Sequence, residues 1–149
     1  MNTDMHKQLV LLQQLIDQIN LKLEKMMALT EDMGEALDLD ETEKFAELMD
    51  KRQELMDSID DLNRQVRKAR IAMDLDFERN MPEQLEPVMT KRQQLLSDIQ
   101  QKDTVNREAA LLRSEQYKTV LREVKNQRMV QTYEKDSIGS GSIFLDTKG

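Results

Sequence analysis

The sequence predicts an all-α protein, built as an elongated antiparallel three-helix bundle of coiled-coil type with a flexible C-terminal tail. Apolar residues recur at alternating spacings of three and four along most of the chain, which is the pattern of a heptad seam. Glycine and proline are scarce, 4 and 2 among 149 residues, so few positions would interrupt long helices. With 38% apolar and 34% charged residues, the chain suits a narrow core rather than a broad globular interior.

The first helix is predicted over residues 4–36, followed by a turn in the acidic segment 38–40. Its seam is apolar except for Thr30, and Gly34 lies near the predicted end, where glycine commonly terminates helices. Further leucines and methionines widen the apolar stripe beyond what one partner helix would cover, so we expect this helix to be central in the bundle. The seam residues are Met5, Leu9, Leu12, Ile16, Ile19, Leu23, Met26, Thr30, Met33 and Leu37.

Two further helices are predicted over residues 41–79 and 83–133. Only Arg52 breaks the apolar seam of the second helix. Asn80 with Glu83 three residues later predicts the start of the third, and Pro87 is the alternative start. The third helix would be about 75 Å long against about 50 Å for the first, so part of it should project or find another partner. Its seam is also more polar, because it contains Arg92, Asp103, Asn106 and Arg113.

An internal repeat relates the second and third helices. Residues 49–59 recur as residues 89–99, 40 positions later, with eight of eleven positions matching in identity or chemical kind. The match is explained either by duplication or by the general similarity among heptad sequences. In either case Arg52 and Arg92 occupy equivalent seam positions, where we expect each to pair with a carboxylate or to extend outward.

The composition argues against an enzyme and against a cofactor or metal site. The chain has no Cys and no Trp, and His6 is the single histidine, so thiolate chemistry and histidine metal clusters are excluded. The carboxylates are many, but the pattern predicts no apolar pocket that would shift a pKa for acid or base catalysis. Absence of Cys is typical of a reducing compartment, and the cytoplasm is the expected location.

The charge distribution disfavours nucleic-acid binding. The formal net charge is −7, and residues 38–61 contain ten acids against three bases. One basic run, from Arg64 to Arg70, has no acid and no interleaved aromatic residue, so we interpret it as a solvated helix face. No apolar run approaches membrane-spanning length, and stable membrane insertion is not expected.

The composition changes after the third predicted helix. We assign residues 1–133 to the helical bundle and residues 134–149 to a flexible tail rich in glycine and serine. The tail contains an apolar segment, Ile143, Phe144 and Leu145, which is unusual on so polar a chain. We expect this segment to contact either the bundle or a partner.

Four stretches of the chain are similar to a known family. They are residues 48–55 (LMDKRQEL), 95–99 (LLSDI), 106–112 (NREAALL) and 131–133 (QTY). On these stretches the chain resembles the FlgN and FliT types of flagellar type III export chaperone, and the FlgN type is favoured. The resemblance implies a small helical chaperone that holds an axial flagellar subunit, prevents its premature assembly and delivers it to the export apparatus. The implied client is a hook-filament junction protein, with the filament cap protein as the alternative.

The client-binding residues are predicted in the far half of the third helix. The stretch from Lys102 to Arg107 is nearly all polar and should loosen the bundle, and the apolar residues that follow make a stripe wide enough for an amphipathic client helix. Both tyrosines of the chain lie in this stripe, and tyrosine is enriched at interfaces. The predicted site residues are Leu111, Leu112, Tyr117, Val120, Leu121, Val124, Met129 and Tyr133, with the tail nearby.

Other interpretations remain open from the sequence alone. The same stripe is nearly as well explained by packing against the first helix. A structural coiled-coil protein would use its spare surface to form a homodimer. An RNA- or membrane-associated helix would rely on the basic run from Arg64 to Arg70 and would bind in a salt-sensitive way. Neither client identity nor oligomeric state follows from the residues.

Overall fold

The computed structural model describes residues 3–74, 76 and 79–125. This part of the chain is helical and contains no strand, which confirms the all-α prediction. Helices α1 (Thr3–Asp38) and α2 (Thr42–Met73) form a long hairpin. A 3-10 turn (Glu83–Leu85) leads into α3 (Glu86–Leu111), and a short helix, α4 (Glu115–Lys125), follows.

Helix α1 is the central helix, as its wide apolar stripe predicts. It packs along both α2 and α3, whereas the backbones of α2 and α3 hardly approach each other. Helices α1 and α3 run parallel. The Asn20 side-chain amide donates to the Val88 carbonyl (3.1 Å), and further along both helices the Asn106 side-chain amide donates to the Thr30 carbonyl (2.9 Å). Helix α2 runs antiparallel to both, and long side chains bridge its distance to α3.

The buried apolar residues form two separate clusters. The larger, which we call the proximal core, holds the first two thirds of α1 against the second half of α2 and the first half of α3. The smaller, the distal core, lies at the end of the bundle that contains the α1–α2 turn. Its buried members are Met33, Ala36, Leu37, Phe45, Leu48, Met49, Ala110 and Tyr117.

The heptad seams predict the proximal core well. Leu12, Ile16, Ile19 and Leu23 of α1 are buried, as are Ile59, Leu62, Leu96 and Ile99 of the other two helices. Leu55 is only half-buried, and its neighbour Met56 is fully buried in its place. The predicted seam is buried again from Ile59 through Val66 to Met73, so the departure at Leu55 is local.

The α1–α2 turn differs from its prediction. Gly34 does not end α1, which continues to Asp38, and the left-handed residue of the turn is Asp40, with φ of 56°. The Glu41 N–H donates to the Ala36 carbonyl and the Asp40 N–H to the Leu37 carbonyl, which together make a Schellman motif. Aspartate tolerates this conformation better than most residues with a side chain, so the turn forms without glycine.

The other helix ends also differ from the prediction. Helix α2 ends at Met73 rather than at residue 79, and Asp74 closes it with φ of 53°. The third predicted helix is interrupted at residues 112–114, so that α3 and α4 replace the single helix 83–133. The Arg113 N–H bonds to the Ala110 carbonyl in a tightened last turn, and Ser114 precedes α4 at a position where serine favours a helix start.

Candidate functional site

The distal core has the form of an apolar groove with a helix lying in it. The last turns of α1 and the first turns of α2 supply most of the groove, including Leu37 and Phe45, and Ala110 of α3 completes it. Because α2 and α3 are far apart, the groove would be open between them without a further element. Helix α4 fills this opening, packing on both α2 and α3.

Tyr117 anchors α4 in the groove. Its ring meets the ring of Phe45 edge to face, with 5.3 Å between centroids and 81° between planes. The Tyr117 side chain is completely buried, yet its hydroxyl has no hydrogen-bond partner in the described part of the chain. A buried hydroxyl without a partner costs about 1–3 kcal/mol. Apolar contacts therefore hold α4 in the groove, and the buried hydroxyl opposes them.

The two faces of α4 are sharply different. Val120 and Leu121 lie one turn after Tyr117 and pack partly buried against the distal core. The opposite face is exposed and polar, with Lys118 and Arg122 both close to the Glu115 carboxylate. Helix α4 is therefore an amphipathic helix bound in an apolar groove, which is a common way for one polypeptide to recognise another.

A layer of buried polar side chains borders the groove towards the proximal core. Arg52 of α2 forms a two-pronged ion pair with Asp103 of α3, and both side chains are largely removed from solvent. On the other side of the layer, Thr30 donates from its hydroxyl to the Met26 carbonyl (2.8 Å) and accepts at its carbonyl from Asn106. These polar residues are the lapses that the three seams show in the sequence.

A comparison with protein-family models matches residues 20–108 to the family described as "Flagellar protein FliT". The matched segment is more than half of the chain, and it includes the polar layer and most of both cores. The chain belongs to the FliT family. This is a family of flagellar export chaperones and not of enzymes. The sequence resemblance to flagellar export chaperones is thereby confirmed, although the family model that matches is the FliT type rather than the favoured FlgN type. No curated protein and no solved structure is significantly similar to the chain.

The predicted site residues of this FliT-family chain fall into three groups. Leu111 and Leu112 are exposed at the α3–α4 turn, at 47% and 86%. Tyr117, Val120 and Leu121 face the groove, where α4 packs on α2 and α3 rather than mainly on the first helix. The Val124 side chain, Met129, Tyr133 and the tail segment Ile143, Phe144 and Leu145 lie outside the described residues, so their assignment stays a prediction.

The groove itself is not among the sequence predictions. Phe45, Leu48 and Met49 form its α2 wall, and Phe45 and Leu48 belong to the heptad row of that helix. The signal that could have separated them from the proximal core is the polar break at Arg52, which ends the apolar row of α2 on the side of the groove. Ser114 followed by Glu115 was a second available signal, since it is typical of a helix start.

The described residues offer no other chemical site. They contain no group of three or more His, Cys, Asp or Glu side chains that could hold a metal ion. None of the described helices is long and apolar enough to cross a membrane. The distal groove and the α3–α4 turn of this FliT-family chain are therefore the candidates for binding a protein client.

Proposed function

We propose that this protein is a cytoplasmic export chaperone that binds an amphipathic helix of an axial flagellar subunit in the distal groove. Binding would cover the client's apolar assembly segment, prevent premature assembly and keep the client available to the flagellar type III export apparatus. The observation that carries the proposal is that an amphipathic helix of the chain itself, α4, already lies in this groove. A client helix of similar character would meet the same apolar walls.

Two properties of α4 favour its exchange for a client helix. Its described part contacts α2 and α3 through one apolar face, so its position depends on that docking. The buried Tyr117 hydroxyl weakens that docking. A client helix that placed an apolar residue at this position would avoid this penalty.

The exposed leucines of the α3–α4 turn extend the proposed site. Leu112 is 86% exposed and Leu111 is 47% exposed, and the turn lies beside the groove because Ala110 is part of the distal core. Arg113 and Asp38 approach to 3.8 Å and bring this turn next to the end of α1. A bound client helix would extend from the groove onto these two leucines.

The family match bears on the client. The filament cap protein is the client implied by resemblance to the FliT type, and the hook-filament junction proteins are those implied by the FlgN type. Since residues 20–108 match the FliT type, we put the filament cap protein first and the junction proteins second. Self-association into a homodimer is the alternative use of the same groove.

The test measures client affinity by calorimetry for the full chain and two variants of one residue. Tyr117→Phe removes the hydroxyl that has no partner among the described residues, so α4 should hold the groove better and the terminal segment of the cap protein should bind several-fold more weakly. Tyr117→Asp places a charge in the groove, so α4 should leave it and the client should bind more tightly. Equal affinities for both variants and the parent chain would exclude the groove.

Two controls accompany this experiment. The exposed residue Ile71 lies on α2 in the half of the bundle away from the groove, and Ile71→Asp should leave client affinity unchanged. Terminal segments of the junction proteins, tested in parallel, decide between the two client classes. Sedimentation of the chain alone measures the homodimer; a tight dimer formed without a client would favour the scaffold.

A further inference from the structure

The two apolar cores of the bundle do not merge, although α1 and α2 run through both without interruption. The proximal core ends on α1 at Met26 and on α2 at Met56, and the distal core begins at Met33 and Met49. Between these levels the buried positions of α1 and α2 are polar, and α3 contributes the partly buried Asp103 and Asn106. In a heptad bundle the apolar row normally continues, so this gap is a feature of the sequence and not of the helix geometry.

The gap contains four polar residues in two pairs, and each long helix contributes at least one of them. Arg52 and Asp103 join α2 to α3 by a charged pair, and Asn106 of α3 is joined to α1 through the Thr30 carbonyl. We refer to Thr30, Arg52, Asp103 and Asn106 as the polar layer. Arg52 and Thr30 are both at least 95% buried, so these groups are desolvated in the folded bundle.

Gly34 supports the same interpretation. It lies inside α1, where glycine is unfavourable, and a Cβ built on it would come within 3.0 Å of the Asn106 side-chain oxygen. The absence of a side chain at this position gives Asn106 room to approach α1 and reach the Thr30 carbonyl. Glycine thus lowers the local stability of α1 in the turn that follows Thr30.

A polar layer contributes little to the net free energy of folding, and it couples neighbouring turns less strongly than an apolar layer does. A buried ion pair roughly offsets the desolvation of its charges, whereas continuous apolar packing couples neighbouring turns into one cooperative unit. The distal core has 8 buried residues against 17 in the proximal core, so of two units separated here the distal one should be the weaker.

We infer that the polar layer divides the bundle into two cooperative units, so that the distal groove opens while the proximal core stays folded. Loosening of the distal turns would release α4 from the groove and make the groove available to a client, and the layer limits this opening to the turns beyond Thr30 and Arg52. This role of the layer in client binding rests on the proposed function. The division into two units does not, because it is a property of the free chain.

The test is native-state hydrogen exchange of the full chain without a client. Amides of α1 and α2 in the distal unit, residues 33–37 and 45–49, should exchange through a common opening at least about tenfold faster than those of residues 12–26 and 56–69. Uniform protection along α1 and α2 would overturn the inference. This measurement on the parent chain needs no variant and no client.

A paired substitution tests the layer directly. Arg52→Met with Asp103→Leu replaces the charged pair by apolar side chains and should join the two cores, so that distal protection rises about tenfold towards the proximal value. The control is Glu24→Gln with Lys91→Gln, which removes an exposed α1–α3 ion pair (2.7 Å) alongside the proximal core and should leave the ratio of protections unchanged. An unchanged ratio in the apolar variant would contradict the inference.

The client-binding consequence has its own readout. If opening limits access, the apolar variant should bind the client more weakly by about the factor by which its opening decreases. The parent chain could show two exchange units while the apolar variant binds the client with unchanged affinity. This result would leave the division into two units intact and would count against the groove as the client site. The two ideas can therefore fail separately.

Discussion

Arg92 lies 40 residues after Arg52 and crosses the gap between α2 and α3 in the opposite direction. Arg52 reaches from α2 to Asp103 on α3, and Arg92 reaches from α3 to the Asn63 side-chain oxygen on α2 (3.1 Å). The acceptors Asn63 and Asp103 are also 40 residues apart. The sequence repeat of 49–59 and 89–99 is thus matched by an approximate two-fold relation between the antiparallel helices, which favours duplication over chance similarity.

The Arg52–Asp103 pair should respond differently to single and paired substitution. Asp103→Leu alone leaves a buried guanidinium without this carboxylate and should lower the free energy of unfolding by about 3–5 kcal/mol. Arg52→Met together with Asp103→Leu should be neutral or stabilising by about 1–4 kcal/mol. Urea denaturation of the three proteins measures both; a paired variant as unstable as the single one would contradict the expectation.

Gly34→Ala should lack the stabilisation that this change usually brings inside a helix. Replacing glycine by alanine there commonly gains about 0.5–1 kcal/mol, but the new Cβ would displace Asn106 from the Thr30 carbonyl. In the background Asn106→Ala the contact is absent, so Gly34→Ala should there recover its gain. A double-mutant cycle in urea is the measurement, and identical effects in both backgrounds would exclude the steric explanation.

The proximal core should carry most of the stability of the bundle. Ile19→Ala or Ile59→Ala deletes a completely buried side chain and should cost about 2–5 kcal/mol. Ile71→Ala is the matched control, because Ile71 has the same chemistry but is 73% exposed, and it should change the unfolding free energy by less than about 0.5 kcal/mol. Comparable losses at all three positions would mean that burial is misassigned.

Leu112→Asp should separate binding from folding. Leu112 is 86% exposed in the turn between α3 and α4, so the change should leave helicity and melting temperature unaltered. If the client helix extends onto this turn, its affinity should fall, because a charge replaces an apolar contact. Circular dichroism and calorimetry give the two readouts, and full retention of affinity would restrict the client to the groove.

The sequence predicts the helices and the proximal core because both depend on local periodicity. The seam of α1 is apolar over its whole length except at Thr30, so its buried face and its central place follow from residue spacing. The sequence predicts that Arg52 pairs with a carboxylate or extends outward, and the structure identifies the partner as the Asp103 carboxylate. Which helix would supply it could not be predicted, since that depends on the register between α2 and α3.

The candidate site was predicted less completely. Tyr117, Val120 and Leu121 were assigned to one binding stripe, but the break at residues 112–114 turns that stripe inward onto Phe45. Periodicity records which face of a helix is apolar and not whether the chain covers that face itself. Only the three-dimensional arrangement indicates that the site begins as a groove already holding a helix.

The central position of α1 has a consequence for the order of folding. Because α1 and α2 are adjacent in sequence and share the longest interface, their hairpin needs only a short loop closure and is expected to form early. Helix α3 contacts mainly α1 and is made later, so it can dock on a hairpin that already exists. On the ribosome, the growing chain would thus expose the apolar face of α1 until α3 has emerged.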